Sequence, residues 1–245
     1  MAKKVWKAGT FIYPIPAVMV SCGDMEKSNI ITVGWTGILN TDPAIVYISV
    51  RPERYSYNII KEKKEFVINL TNEDLAFATD WCGVRSGSKF DKFSEMKLTK
   101  EKANYVAAPL SKEPPVSLEC RVIEEKTYGT HTTFIAEVLC INADEKYIDE
   151  NGSFDISKCD LIAYANGGYY ALGEKIGKFG YSVEKKKKTK PDKVKVVPRN
   201  AKRKIKENKL LEKESTKAKL IPRPRKKVNR INDKPIRRKK NKHSL

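Results

Sequence analysis

Residues 33–56 read VGWTGILNTDPAIVYISVRPERYS. The run 44–50 has the β-branched and aromatic composition of a strand, apolar on both faces, and so reads as a central one. Asn40 to Pro43 break the chain before it. After it, a helix is expected over 54–64, with Tyr55, Ile59 and Ile60 on one side. Packing accounts for Ile45, Val46, Tyr47 and Ile48. It gives no role to Trp35 and Thr36, set between Gly34 and Gly37, or to Ser49, Arg51 and Ser56 where the run ends. A helix start near Arg54 to Ser56 offers unpaired N–H groups and the positive end of a helix dipole. On spacing alone the stretch is an anion-binding strand end.

Outward from it, 17–21 and 30–34 are short apolar runs separated by the turn-forming stretch GDMEKSN at 23–29, and they read as paired antiparallel strands. Residues 66–70 form a further strand. Asn72 is placed to cap a helix running to about Trp81, with Glu73 and Asp74 in its first turn. A polar loop, GVRSGSKFDKF, comes next at 83–93. Two long alternating segments, 117–129 and 131–143, read as an antiparallel pair. The last stretch, LIAYANGGYYALGEKIGKFGYS, is aromatic and glycine-rich. Several short strands with few helices imply a mainly β fold, a barrel with helical inserts.

Charge divides the chain. From Glu184 to Leu245 there are 27 Lys and Arg against 6 Asp and Glu, whereas 1–183 carries 22 basic and 24 acidic residues. All the aromatic residues lie at or before Tyr181. The tail therefore lacks the means to build a core and reads as disordered and self-repelling, with a transient helix possible in 201–220. Such a polyelectrolyte is suited to nucleic acid or anionic surfaces, bound non-specifically and weakened by salt. A solvated appendage accounts for the same composition equally well.

Five cysteines stand singly, with no CxxC pair, which argues against a zinc, iron–sulfur or dithiol site. Reduced thiols and a cytoplasmic location are expected. The start MAKKVWKAGTFIYPIPAVMVSC has the look of an export segment ending at Cys22, but Pro14 and Pro16 interrupt it, and the residues after Pro16 read as the first strand. No apolar run is long enough to span a membrane.

Five pieces in order resemble one family: N-x-x-T-V-G-W-T-G at 29–37, I-S-V-R-P-x-R-Y-S at 48–56, G-x-x-S-G-x-x-x-D-K-F at 83–93, G-T-H-T-T-F-I-A-E-V at 129–138 and Y-Y-A-L-G-E-K-I-G-K-F-G at 169–180. They are similar to the flavin reductase-like, or flavoredoxin, family with its FMN-binding split β-barrel. The resemblance implies such a domain over 1–183, followed by the basic tail at 184–245. It also implies a homodimer with FMN near its interface, and a flavin-binding set of Asn29, Trp35, Thr36, Ser49, Arg51, Ser56, Lys92, His131 and Tyr164.

The chemistry of those residues suits the ligand. Arg51 and Lys92 bring charge to a phosphate. Asn29, Thr36 and Ser49 offer hydrogen bonds to ribityl hydroxyls or the ring edge. Trp35 and Tyr164 cover the ring. His131 orients or polarises it. Ser49 and Ser56 fit a strand end and a helix cap equally well, and Tyr169, Tyr170 and Phe179 are read as core or dimer aromatics. The implied activity is that of an FMN-dependent oxidoreductase or electron-transfer flavoprotein, served by a redox partner protein or NAD(P)H. An NAD(P)H:flavin oxidoreductase using flavin as a dissociable substrate stands as the alternative. A nucleic-acid-binding protein acting through the tail is a third reading.

Overall fold

The order of elements tracks the breaks in the sequence. In the computed structural model, which describes residues 1–184, the strands and helices in chain order are β1 (Ile15–Pro16), β2 (Val18–Gly23), β3 (Ser28–Val33), β4 (Thr36–Thr41), β5 (Ala44–Val50), α1 (Tyr55–Lys63), β6 (Glu65–Leu70), α2 (Ala76–Val84), α3 (Lys92–Glu95), β7 (Lys100–Glu101), β8 (Leu110–Ser111), β9 (Val116–Tyr128), β10 (His131–Ala143), β11 (Ile162–Ala165) and β12 (Gly168–Ala171). The expected disorder of the tail and the helix in 201–220 fall outside the described residues, Glu184 apart. Met1–Gly177 form one compact unit. Beyond it, Lys178 pairs with Glu184 across a short 3-10 turn at Tyr181–Val183.

Seven strands make one antiparallel sheet in the order β3, β2, β6, β9, β10, β5, β4. The anticipated pair is β2 with β3, in register Val20 to Ile31. β5 is central in that it is paired on both sides, to β10 and β4. Its two faces differ, however: Val46, Ile48 and Val50 are buried while Ala44, Ile45, Tyr47 and Ser49 are not. The β4 strand beside it likewise leaves its Ile38 and Leu39 in solvent. β4 itself has no signal in the sequence, because TGILNT neither alternates nor buries a face.

The sheet curls. Ile31 and Val33 of β3 share one buried cluster with Val46, Ile48 and Val50 of β5, although the two strands stand near opposite ends of the sheet order. Phe66 and Phe134, both fully buried, fill the middle of that cluster. Burying two such rings contributes on the order of 2–3 kcal/mol each. A bulge on β9 at Ile123 and another on β10 at Leu139 bend the long β9–β10 hairpin round the core. Its two-residue turn has Gly129 at φ 57°, the left-handed conformation that primed turns require. Because β3 and β4 end the sheet without pairing to each other, the barrel is split there. The chain crosses the split through Gly34 and Trp35.

The helices sit against β3. Asn72 caps as expected, its Oδ1 accepting from the Leu75 N–H at 3.3 Å, but it caps a 3-10 turn at Glu73–Leu75. The α-helix begins only at Ala76 and runs past Trp81 to Val84. Leu75, Ala78 and Cys82 pack on Met19 and Ile30, together with Phe93 from α3. This brings the end of α2, the loop after it and α3 to the open side of the barrel.

Candidate functional site

Two clefts meet at the split. The larger, about 400 Å³, lies between the end of β3, the end of β5 and the start of β10. Trp35, Ser49, Arg51, His131, Tyr164 and Tyr169 line it. The smaller, about 180 Å³, lies over the start of α1 and is walled by Asn29, Arg51, Arg54, Ser56, Arg85 and Lys92. Ile31, Arg51 and Arg54 belong to both, so the two form a continuous groove with an aromatic end and a basic end.

The basic end is built from three segments. Asp91 caps α3, accepting from the N–H groups of Phe93 and Ser94, and Phe93 is buried beneath. Lys92 is thereby turned inward and is 3% exposed. Its Nζ donates to the Cys82 carbonyl at 2.7 Å. No carboxylate among the described residues forms an ion pair with it. Burial pulls its pKa down to about 8, and the Arg54 guanidinium adds to the shift. The Cys22 and Cys82 thiols are pushed up to about 11 by burial and are neutral at ordinary pH.

Asn29 and Ser56, both buried, fix the floor, with Asn29 Nδ2 donating to Ser56 Oγ at 2.7 Å. At Arg54, the N-cap of α1, no side chain caps the helix; the Tyr57 N–H is bonded to the Arg54 carbonyl at 2.9 Å, and Tyr55 and Ser56 of the first turn line the cleft. Arg54 Nη1 reaches the Gly83 carbonyl at 3.3 Å and ties this helix to the end of α2. Arg85 lies over the Phe90 ring at 5.7 Å. Gly87 is needed because a Cβ there would stand 2.2 Å from Asn29 Oδ1 and 2.7 Å from Tyr55. The Arg51–Glu53 pair, at 3.2 Å, is exposed and contributes little to stability.

The aromatic end is built from side chains on facing strands. Trp35 and His131 lie ring against ring, with centroids 4.1 Å apart at 37°. Burial, then the Arg51 charge, holds the His131 pKa below the usual imidazole value, so the ring is neutral at pH 7. Thr130 Oγ1 stands 2.9 Å from its Nδ1. Ser49 Oγ is 2.8 Å from Thr133 Oγ1 across the β5–β10 pairing. Tyr164 meets Tyr169 edge on at 5.4 Å. The Tyr169 phenol donates to Asp80 at 3.2 Å, and burial together with that carboxylate pushes its pKa up to about 12.

Of the residues anticipated from sequence, the groove gathers Asn29, Trp35, Ser49, Arg51, Ser56, Lys92, His131 and Tyr164. Thr36 is not among its walls. Its hydroxyl donates to the Tyr47 carbonyl at 2.6 Å, within the β4–β5 pairing. Tyr169, read as a core or dimer aromatic, is instead a wall of the larger cleft. Arg54, Arg85 and Gly87 also line the groove, outside the anticipated set. Arg85 and Gly87 sit inside the loop at 83–93, where R-S-G before a lysine is the available signal.

Residues 10–173 match the flavin reductase like domain. The chain belongs to the flavin reductase-like family. An uncharacterized protein of Archaeoglobus fulgidus is 31% identical over 139 residues, 57% of this chain and 78% of the relative. Flavoredoxin of Desulfovibrio vulgaris (Miyazaki F) superimposes with a TM-score of 0.69 at 31% identity, covering 75% of this chain and 100% of that one. Flavoredoxin from Methanosarcina acetivorans does so with a TM-score of 0.68 at 28% identity, over 75% of this chain and 100% of that one. The mainly β fold with helical inserts is thus the split barrel of flavin reductase-like proteins, and membership places the chain among flavin-related oxidoreductases. No helix of the described residues is long and apolar enough to cross a membrane.

Proposed function

We propose that the groove binds FMN and that the protein is an FMN-dependent oxidoreductase that passes electrons between a reduced donor and a partner. The observation that carries this reading is the buried Lys92 ammonium. A desolvated cation without a carboxylate is costly, and its position on the wall of a basic cleft fits a ligand anion as its missing counter-charge. Arg51, Arg54 and Arg85 surround the same space, and the first turn of α1, which no side chain caps, lines it through Tyr55 and Ser56. A phosphate there leaves the ribityl chain and isoalloxazine ring to run toward Ser49, Trp35, His131 and Tyr164.

FMN supplies the hydride and electron chemistry when bound. The chain's own residues bind and orient. Trp35 and Tyr164 cover apolar ring surface and exclude water. His131, neutral at pH 7, presents one N–H as a hydrogen-bond donor while the nearby Arg51 charge favours negative charge on a bound ring. The cytoplasmic location belongs to the same reading, as does the homodimer, for which edge strand β4 presents Ile38 at 78% and Leu39 at 52% exposure.

The test is the visible spectrum of the purified protein after gel filtration, followed by mass analysis of the released ligand and reduction by NADH, NADPH or a reduced electron-transfer protein. A yellow protein releasing FMN is expected. A colourless protein that neither binds FMN nor oxidises NAD(P)H overturns the proposal.

A further inference from the structure

The β11–β12 hairpin walls one side of the larger cleft, and its two strands are held very differently. β11 is anchored: Tyr164 and Ala163 pair with Ile15 and Pro16 of β1, and the Ile162 N–H donates to the Thr71 carbonyl at 3.1 Å. β12 pairs with β11 alone. Among the described residues, the only side-chain hydrogen bond tying β12 to the rest of the chain runs from the Tyr169 hydroxyl to Asp80 Oδ1 of α2, at 3.2 Å. We propose that Asp80 and Tyr169 are positioning residues for the bound flavin: their hydrogen bond clamps the hairpin against α2 and so holds Tyr164 over the larger cleft. The inference rests on the flavin reading of the groove.

The register links the clamp to Tyr164. Tyr164 and Tyr169 are directly opposed in the β11–β12 pair, so both project to the same face, and their rings are in edge-on contact. Asp80, Tyr164, Gly167 and Tyr169 all line the larger cleft. Between the strands, Asn166 and Gly167 stand at φ 45° and 93°, the left-handed pair of a primed two-residue turn. Such a turn joins the strands stiffly, and a Tyr169 that leaves α2 carries Tyr164 with it. The Tyr13 ring also meets Tyr164, edge on at 6.2 Å, but Tyr13 belongs to the irregular segment before β1 and gives it no rigid support. The donor is a durable one: burial and the Asp80 carboxylate push the Tyr169 phenol up to about 12, so it stays protonated. Neither Asp80 nor Tyr169 lines the smaller, basic cleft, so the clamp acts on the ring end of the ligand and not on its phosphate.

The experiment is a fluorescence titration of the full chain with FMN and with riboflavin, for Tyr169→Phe, Asp80→Ala, Asp80→Asn, Tyr164→Ala and the combination of Tyr169→Phe with Tyr164→Ala. Tyr169→Phe keeps the ring against Tyr164 and removes only the hydroxyl. It and Asp80→Ala are each expected to weaken FMN and riboflavin alike, by about five- to tenfold, as the loss of one hydrogen bond does. Asp80→Asn, whose amide oxygen still accepts, is expected to bind within about twofold of wild type. With Tyr164→Ala already present, Tyr169→Phe is expected to cost less than about twofold, because the side chain that the clamp positions is gone. Hydrogen exchange of the unliganded variant separates the clamp from a general loss of structure. Amides of 162–171 are expected to exchange about tenfold faster in Tyr169→Phe, with those of β9 and β10 at the wild-type rate. Faster exchange throughout assigns the hydroxyl to the fold as a whole and overturns the clamp. Unchanged flavin affinity in Tyr169→Phe, full additivity with Tyr164→Ala, or a loss for FMN that riboflavin does not share also overturns it and leaves the flavin reading standing. A wild-type protein that binds neither flavin overturns that reading and the clamp with it.

Discussion

The Lys92 ammonium donates to the Cys82 carbonyl at 2.7 Å, ten residues back along the chain, and has no acidic partner among the described residues. One carbonyl satisfies one of three N–H donors. Replacing Lys92 with Met keeps most of the buried stem and removes the charge. FMN affinity is expected to fall about 10- to 100-fold, the range for a hydrogen bond to a charged group, while riboflavin changes less than about threefold. Isothermal titration with both ligands reads this directly. Since an unpaired buried charge is costly, the unliganded variant is expected to melt no lower than wild type. Equal losses for both ligands remove Lys92 from the phosphate site.

The same residue sets a pH dependence. With its pKa near 8 in the unliganded protein and about 10.5 when unfolded, Lys92 binds fewer protons folded than unfolded between these values. Stability therefore rises with pH through that window as far as this group decides it. Ligand binding runs the other way, because a phosphate dianion favours the charged lysine. The second phosphate pKa is about 6, so FMN affinity is expected to rise to about pH 7 and to decline above about pH 8. Cys22 and Cys82, pushed up to about 11, stay neutral across this range and do not confuse the profile. Riboflavin affinity should show no decline above about pH 8, and a parallel decline for riboflavin assigns the effect elsewhere.

Much of the fold is legible in the sequence for a physical reason. The β2–β3 pair, β5 and the β9–β10 hairpin bury apolar residues at strand spacing, and the split barrel is assembled from them. Edge strand β4 escapes because an exposed strand needs no pattern, and the α-helix after Asn72 starts late because Asn72 closes a 3-10 turn first. The site is legible through the resemblance, which marks Arg51, Lys92 and His131; taken alone, the two cations read as solvated surface charges and the histidine as a structural one. Thr36 has the right chemistry, yet its hydroxyl is engaged by the Tyr47 carbonyl, a choice made by strand register that no motif displays. Tyr169 has no such mark because its partner, Asp80, is distant in sequence and joins it only through packing.

Gly87 tests whether the loop after α2 shapes the basic cleft. A methyl group there meets Asn29 Oδ1 at 2.2 Å and the Tyr55 ring at 2.7 Å, both too close to keep. Gly87→Ala must therefore push the loop outward or displace Asn29 from Ser56. FMN affinity is expected to fall about tenfold or more, with a stability loss of about 1–3 kcal/mol from overpacking. Thermal melting and titration together check it. A variant with unchanged FMN affinity shows that the loop yields without touching the ligand.

Trp35 provides an optical handle on the aromatic end. It is 43% exposed, lies against His131 and lines the larger cleft, whereas Trp6 and Trp81 are not on its wall. Flavin binding is expected to quench mainly Trp35. In Trp35→Phe the ligand-dependent part of the tryptophan signal should largely disappear, and affinity should fall by about three- to tenfold from lost ring contact. Full quenching in the variant would place the ring nearer another tryptophan.

The tail gives the last prediction, and it rests on charge alone. Deleting 184–245 removes 27 basic and 6 acidic residues and leaves a body with 22 basic and 24 acidic ones. All the groove residues lie within Met1–Gly177, which forms a compact unit by itself. The truncated protein is therefore expected to keep its flavin with affinity unchanged within about twofold, since sites without shared partners behave independently. Its retention on heparin should vanish, while the full chain is retained and elutes steeply with salt, as polyanion binding by many cations requires. Loss of flavin on truncation would move the boundary of the flavin-binding domain beyond 183. Salt-sensitive retention that survives truncation would assign the polyanion contact to the basic cleft of Arg51, Arg54 and Arg85, and excess FMN would then compete for it.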